Sequence, residues 1–128
     1  MVVAADLAYS KAVWQLTGKH GVDIAIENLG STLPETLRCM AQGGTIVVLG
    51  NIGGVAVPVA PGLLIGRRIK IVGSGMATLE EVQHALALIE GGQVKPVISA
   101  IVKFSEAARA HALLESRGVE GRVVMQGW

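Results

Sequence analysis

Aromatic side chains are almost missing from this 128-residue chain: Tyr9, Trp14, Phe104 and Trp128 are the whole set. With 51% of residues apolar, any core must be built from Val, Ile, Leu and Ala. Cysteine is represented by Cys39 alone, which excludes an internal disulfide and any multi-cysteine zinc site. Charge is scarce too, at 16% of residues against about 25% in an average domain. The formal net charge is +1, with no basic run beyond Arg67, Arg68 and Lys70, so no nucleic-acid partner is expected. No apolar stretch reaches the ~18 residues of a spanning helix without a charge or turn signal, so no membrane association is expected either. Met1 is followed by neither a basic region nor a hydrophobic signal core, which makes a cytoplasmic location the default expectation. So little charge implies that part of the surface is normally covered.

Glycine, by contrast, is abundant. Its 17 residues are about twice the ordinary share of ~7%. Many stand where apolar runs stop. "VDIAIENLG" predicts a strand of about six residues from Val22, "TIVVLG" a continuous apolar strand buried on both faces, and "IKIVGSG" a third. "VVA" at residues 2–4 is a short strand at best, and "VISAIVKF" and "GRVVMQGW" extend near the end. "VAVPVAP" is extended, but its two prolines forbid a central strand.

Helices fill the intervals. Leu7, Val13, Trp14 and Leu16 share a stripe that ends at Gly18. "TLPETLRCMAQGG" predicts a helix capped by Thr32, with Pro34 in its first turn and Gly43 as its stop. "PGLLIGRR" predicts one helical turn. "TLEEVQHALALIEGG" is the clearest helix: Thr78 and Glu81 make a capping box, and Leu79, Val82, Leu86 and Ile89 form its apolar stripe. "SEAARAHALLESRG" predicts another, ending at Gly118.

Strands alternating with helices imply an α/β fold: right-handed βαβ units and a parallel sheet covered on both faces, in a single domain over 1–128. Ligands of such sheets bind beyond the strand C-termini. Here those ends are Glu27-Asn28-Leu29-Gly30, Leu49-Gly50-Asn51 and Val72-Gly73-Ser74. Each carries Gly, which either turns the chain or lets backbone approach a ligand closely.

The ordered set "GVDIAIENLG", "TLRCMAQGGTIVVLG", "IKIVGSGMATLEEVQHALALIEGGQVKPVI" and "FSEAARAHALLESRGVEGRVVM" resembles the medium-chain dehydrogenase/reductase superfamily, which includes zinc alcohol dehydrogenases and quinone reductases. The individual elements are loose; their order and spacing together are specific. The resemblance covers essentially the whole chain, but only the family's C-terminal part: the second half of its Rossmann-like cofactor domain and the final return segment. It implies a partial Rossmann-like parallel sheet with flanking helices, from an enzyme passing hydride between NAD or NADP and a small carbonyl or alcohol, or an enone or quinone. The family's Gly-rich G-x-G-x-x-G turn after a first strand does not occur in this sequence. Nor does its N-terminal catalytic domain, where zinc would be held when used. The expectation is a fragment that is inactive alone and whose partner is the missing N-terminal part.

The resemblance assigns roles by position. Asn28, Leu29 and Gly30 would lie near the nicotinamide ribose, and Leu49, Gly50 and Asn51 would border the nicotinamide ring. Lys70 and Val72 would offer backbone groups to its carboxamide. Arg122 matches a basic position that approaches the pyrophosphate, where a guanidinium fits phosphate oxygens bidentately; the bland alternative is a solvated charge at a strand start. Asn28 either bonds a ligand hydroxyl or, the favoured reading, caps the following turn. His84 and His111 read as partly buried structural residues, His20 as a turn residue, and Cys39 as a small apolar helix residue. No catalytic residue and no metal ligand is expected. Glu27 and Asp23 are four apart on a strand, which does not make them an acid/base pair. The strand from Val22 would lack its neighbour and leave an open sheet edge, so self-association into a homodimer or larger oligomer is expected. The competing readings are a noncatalytic oligomerising half-domain and a small nucleotide-binding module with a flavodoxin-like sheet.

Overall fold

The strand between Val22 and Glu27 (β1) has one turn of chain before the next helix, and that brevity sets the architecture. The computed structural model describes residues 7–116 and 118–127; the "VVA" segment lies outside them. The chain forms two compact units, one ending at Met76 and one beginning at Ala77, where the sequence pattern suggests a single domain.

The first unit runs α1 (Ser10–Leu16), β1 (Val22–Glu27), α2 (Leu33–Cys39), β2 (Met40–Val48), α3 (Pro61–Arg67) and β3 (Lys70–Gly73). Its sheet has the order β1-β2-β3, parallel throughout, as the alternation predicts. Two successive crossovers in the same direction, each right-handed by rule, put α2 and α3 on one face of the sheet. The core follows from that: Leu33, Leu37, Met40, Ile46 and Ile69 are buried together, with Val22, Ala25, Val48, Leu63 and Leu64 packed against them. The opposite face does not share this cover. Ile24 and Ile26 are exposed, and of "TIVVLG" only Ile46 is fully buried. The expectation of a sheet covered on both faces is thus met on one.

The end of α2 departs from the sequence pattern. The helix stops at Cys39 rather than at Gly43, and Met40 is already extended, with φ −70° and ψ 139°. The pairing register jumps there: Val22 lies opposite Met40, but Ile24 lies opposite Thr45. The cause is tertiary. Carbonyls at the end of α2 need donors, and distant side chains supply them. The Arg67 guanidinium donates to the carbonyls of Arg38 (2.9 Å) and Met40 (3.1 Å), and the Trp14 indole N–H donates to that of Arg38 (2.6 Å). Arg67 also stacks over the Trp14 ring, 4.8 Å from its centroid. Met40 then drops its side chain into the core.

The second unit contains α4 (Leu79–Glu90), β4 (Ile98–Lys103), a one-turn 3-10 helix (Phe104–Glu106), α5 (Ala107–Glu115) and β5 (Arg122–Gln126). β4 and β5 form a parallel pair joined through α5. The capping box of α4 is present in full: Thr78 Oγ1 accepts from the Glu81 amide, and the Thr78 amide donates to the Glu81 carboxylate. The stripe it was built to bury is nevertheless bare. Val82, Leu86, Ile89 and Leu79 are 38–74% exposed. Among the described apolar residues of this unit only Val102 and Ala110 are buried.

Candidate cofactor site

At the C-terminal edge of the sheet in the first unit, two short segments meet. The amides of Leu49 and Gly50 donate to the Glu27 carbonyl at 2.9 and 3.4 Å, and the Ile52 amide donates to the Leu29 carbonyl at 3.0 Å. These bonds bring Asn28, Leu29 and Gly30 against Leu49, Gly50 and Asn51. Both glycines are required by the approach. A Cβ on Gly50 would stand 2.1 Å from the Asn28 carbonyl oxygen. Gly30 has a φ of 79°, and a Cβ there would crowd the Asn51 backbone. The third strand joins through the Ser74 amide, which donates to the Val48 carbonyl at 2.9 Å. Val72, opposite Val47, stands one residue before that end.

Two other candidates are elsewhere. Lys70 opens β3 opposite Thr45, three residues before Gly73. At about 3.3 Å per residue it is some 10 Å along the strand from the C-terminal edge. The register therefore separates Lys70 from the other strand-end residues. Arg122 opens β5 in the second unit, exposed, with its amide donating to the Val97 carbonyl at 2.8 Å.

What holds the strand ends is a residue that the spacing argument passed over. Glu27 is only 3% exposed. Its Oε1 accepts from the amides of Leu29 (3.0 Å) and Gly30 (2.9 Å) and from the hydroxyl of Thr32 (2.6 Å). Its Oε2 accepts from the Thr36 hydroxyl at 2.7 Å. With Thr36 donating there, the Tyr9 hydroxyl, 2.6 Å from Thr36 Oγ1, donates to Thr36. Burial alone would push the Glu27 carboxyl up. The hydroxyls of Thr32 and Thr36 and the amides of Gly30 and Leu29 outweigh it and hold the group below its usual 4.5. Burial pushes the Tyr9 hydroxyl up, against its hydrogen bonds with Thr36 and Thr32. The signal available in the sequence was a strand-end Glu followed by Thr at five and nine residues.

This network corrects two expectations. Thr32 precedes α2 but makes no capping bond; its hydroxyl serves Glu27 instead. The turn that Asn28 was expected to cap is closed by the Glu27 carboxylate, and the Asn28 amide stays exposed with no hydrogen bond among the described residues. The Asn51 amide is likewise exposed and without such a bond. Leu29 and Leu49 are exposed beside them. Two free amides and two exposed apolar side chains thus share this edge and offer both hydrogen-bonding and apolar surface to a ligand.

The remaining reactive groups do not gather. His84 and His111 are exposed rather than partly buried, because the faces of α4 and α5 that carry them have no cover. His20 Nε2 lies 3.1 Å from Asp23 Oδ1 at the surface. Cys39 is buried, and burial followed by the nearby Glu35 charge pushes its thiol up to about 11, which keeps it protonated and inert. Among the described residues no three His, Cys, Asp or Glu side chains converge, so they do not fit a zinc ion. No helix among them is long and apolar enough to cross a membrane.

Known proteins match this arrangement. The sequence profile of the zinc-binding dehydrogenase family matches residues 3–125. The acryloyl-coenzyme A reductase of Metallosphaera sedula is 28% identical over 109 residues, covering 84% of this chain and 33% of its own length. The quinone oxidoreductase of Lama guanicoe is 31% identical over 114 residues, covering 84% of this chain and 34% of its own length. Among solved structures, AibC superposes with a TM-score of 0.88 at 38% identity, over 98% of this chain and 36% of that one. An NAD-dependent alcohol dehydrogenase superposes with a TM-score of 0.78 at 30% identity, over 94% of this chain and 36% of that one. The chain thus spans about a third of the length of the curated relatives it matches. A parallel βαβ sheet with paired glycine turns at its strand ends, matched along nearly its whole length, places this chain in the zinc-binding dehydrogenase family of the medium-chain dehydrogenase/reductase superfamily.

Proposed function

We propose that the strand ends of the first unit form the nicotinamide-side wall of an NAD(P) site in a hydride-transferring oxidoreductase. Its substrate class is a small carbonyl or alcohol, or an enone or quinone. The observation that carries this reading is the convergence of Asn28–Gly30 and Leu49–Asn51, with two unbonded amides, at the C-terminal edge of a parallel sheet. Bound nicotinamide supplies the hydride donor or acceptor; the protein's part is to orient it. In this reading Leu29 and Leu49 flank the ring and its ribose, and Asn28 and Asn51 meet hydroxyl or carboxamide groups. Val72 offers backbone beside them; the second unit's Arg122 is assigned separately, as a guanidinium suited to phosphate oxygens. The described residues gather no ligand set for a zinc ion, so any zinc the enzyme uses is assigned to residues beyond them.

The 128-residue chain alone carries half of such a site. It is expected not to turn over alcohols, aldehydes, enones or quinones with either cofactor, because orientation of both reactants, worth about 7–11 kcal/mol, is not supplied. Dinucleotide affinity should be weaker than about 1 mM, since no Gly-rich turn presents a helix start to the pyrophosphate. The site itself is tested by nuclear magnetic resonance of the isotopically labelled chain. Nicotinamide mononucleotide should move the amide signals of residues 28–30 and 49–51, and adenosine monophosphate should not. Equal response to both, or movement elsewhere only, rejects the assignment. Self-association is part of the proposal. Among the described residues β1 has β2 as its one strand neighbour, and it exposes Ile24 and Ile26. Light scattering at about 100 μM should report a dimer or larger species that dissociates on dilution; a monomer at all concentrations removes this element.

A further inference from the structure

The convergence of the two strand-end segments has one common point, and it is a residue that touches no ligand in the proposed site. Glu27 uses its carbonyl to receive the second segment, through the Leu49 and Gly50 amides, and its carboxylate to receive the first, through the Leu29 and Gly30 amides. We propose that Glu27 is a positioning residue: its buried carboxylate pins the turn Asn28–Gly30 against Leu49–Asn51 in the arrangement that meets the nicotinamide ribose. The proposal rests on the function assigned to that surface above.

Three features carry it. The first is saturation: four donors converge on one carboxylate, from the turn, from the residue preceding α2 and from α2 itself. A carboxylate is the one side chain that offers only acceptors, and two adjacent amides with no helical or strand partner require acceptors when buried. The second is reach. Leu29 and Gly30 lie two and three residues beyond Glu27, so their bonds fold the chain back on itself and fix the direction in which Asn28 leaves the sheet. The third is the tie at the far end. Tyr9, which precedes α1, bonds Thr36 of α2, so the pin is anchored to a second helix and not only to its own turn. The Ser10 amide, which donates to Glu35 at 2.9 Å, ties the same two elements again. Local turn formation needs neither of these anchors.

Glu27→Met fills similar space and removes every acceptor, whereas Glu27→Gln keeps one acceptor oxygen for Leu29, Gly30 and Thr32 and can donate to Thr36. The two variants separate placement from mere occupancy. In the full 128-residue chain, amide hydrogen exchange at Leu29 and Gly30 should accelerate at least about tenfold in Glu27→Met, with Ile46 unchanged as the reference for an intact sheet. Glu27→Gln should restore exchange to within about threefold of wild type. The response to nicotinamide mononucleotide should follow the same order, weakening about tenfold in Glu27→Met and recovering in Glu27→Gln. Should Glu27→Met fail to fold, Thr32→Val against Thr32→Ser removes and restores the neighbouring bond to the same carboxylate oxygen, with faster exchange at Leu29 and Gly30 expected in the first and recovery in the second. Unchanged exchange at Leu29 and Gly30 without the carboxylate overturns the pin. Unchanged mononucleotide response in a variant whose turn has loosened overturns its role in binding. A wild-type chain that ignores the mononucleotide overturns the site reading and with it that role, while the exchange measurement still decides for or against the pin.

Discussion

Helices α2 and α4 invert the usual relation between a helix's own signals and its burial. α4 has twelve residues, a complete capping box and acidic residues in its first turn, yet it buries none of them. α2 has seven residues and no side-chain cap at its start, yet Leu33, Thr36, Leu37 and Cys39 are all buried. Local capping decides whether a helix forms; a facing surface decides what it contributes. In the first unit the facing surface exists, because two crossovers bring α2 and α3 onto one side of three paired strands. In the second, a two-stranded pair offers α5 a small footing and leaves the α4 stripe exposed. Fully covering a Leu or Val side chain is worth about 1.5–3 kcal/mol, so the two units differ in stability far more than their helical propensities suggest.

Leucine truncation should expose that difference most strongly. Leu37→Ala, at a side chain 1% exposed, should cost about 2–5 kcal/mol by residue-resolved hydrogen exchange in the first unit. Leu86→Ala in α4 should cost less than about 1 kcal/mol, having little burial to lose. A large cost at Leu86 would mean that the stripe is covered in solution, for instance by a second copy of the chain. Acid comes next. The folded-state value of Glu27 lies below its usual 4.5, so its stabilisation is complete above pH 4.5 and is lost as pH falls through the folded value. Glu35, whose carboxylate is held down by the Ser10 hydroxyl and amide and by Arg38 against some burial, adds in the same sense. Between pH 6 and pH 3 the first unit should lose on the order of 1–3 kcal/mol. The second, whose lowered carboxylates Glu81 and Glu106 both reach solvent, should change little. Equal acid sensitivity of the two would contradict the account of Glu27. The smallest contrast concerns capping. Thr78→Ala should cost about 1 kcal/mol and raise exchange only in the first turn of α4; Thr32→Ala should instead loosen residues 29–30, since that hydroxyl caps no helix.

Strand positions, parallel pairing and the α4 box were legible because each depends on neighbours in the chain: apolar runs, glycine stops, and Thr with Glu three residues on. The meeting of Asn28–Gly30 with Leu49–Asn51 was legible for a topological reason, since parallel strands end on the same side. What escaped depends on contacts between distant residues. The early stop of α2 comes from Arg67 and Trp14, both more than twenty residues from the carbonyls they bind. The diversion of Thr32 from capping comes from a buried Glu that alternation alone could not place. The resemblance gave Lys70 a backbone contact to the carboxamide, and the register of β3 sets it opposite Thr45, three residues before Gly73. The exposure of His84 and His111 reflects missing cover, which composition hinted at through its scarcity of charge without saying where.

Glu27 also gives the strand-end surface a polarity of charge. In a doubly wound sheet, the turn after a first strand presents bare amides to a ligand phosphate at a helix start. Here the corresponding backbone amides, those of Leu29 and Gly30 after β1, are already satisfied by an anion built into the chain, and a phosphate entering that turn would meet a carboxylate in place of bare backbone donors. On the proposed reading of this edge, a ligand with a charged end and a neutral end lies with its phosphates directed away from residues 28–30. On that reading the carboxylate that braces the loops is also a direction marker, selecting head from tail in a molecule it never touches.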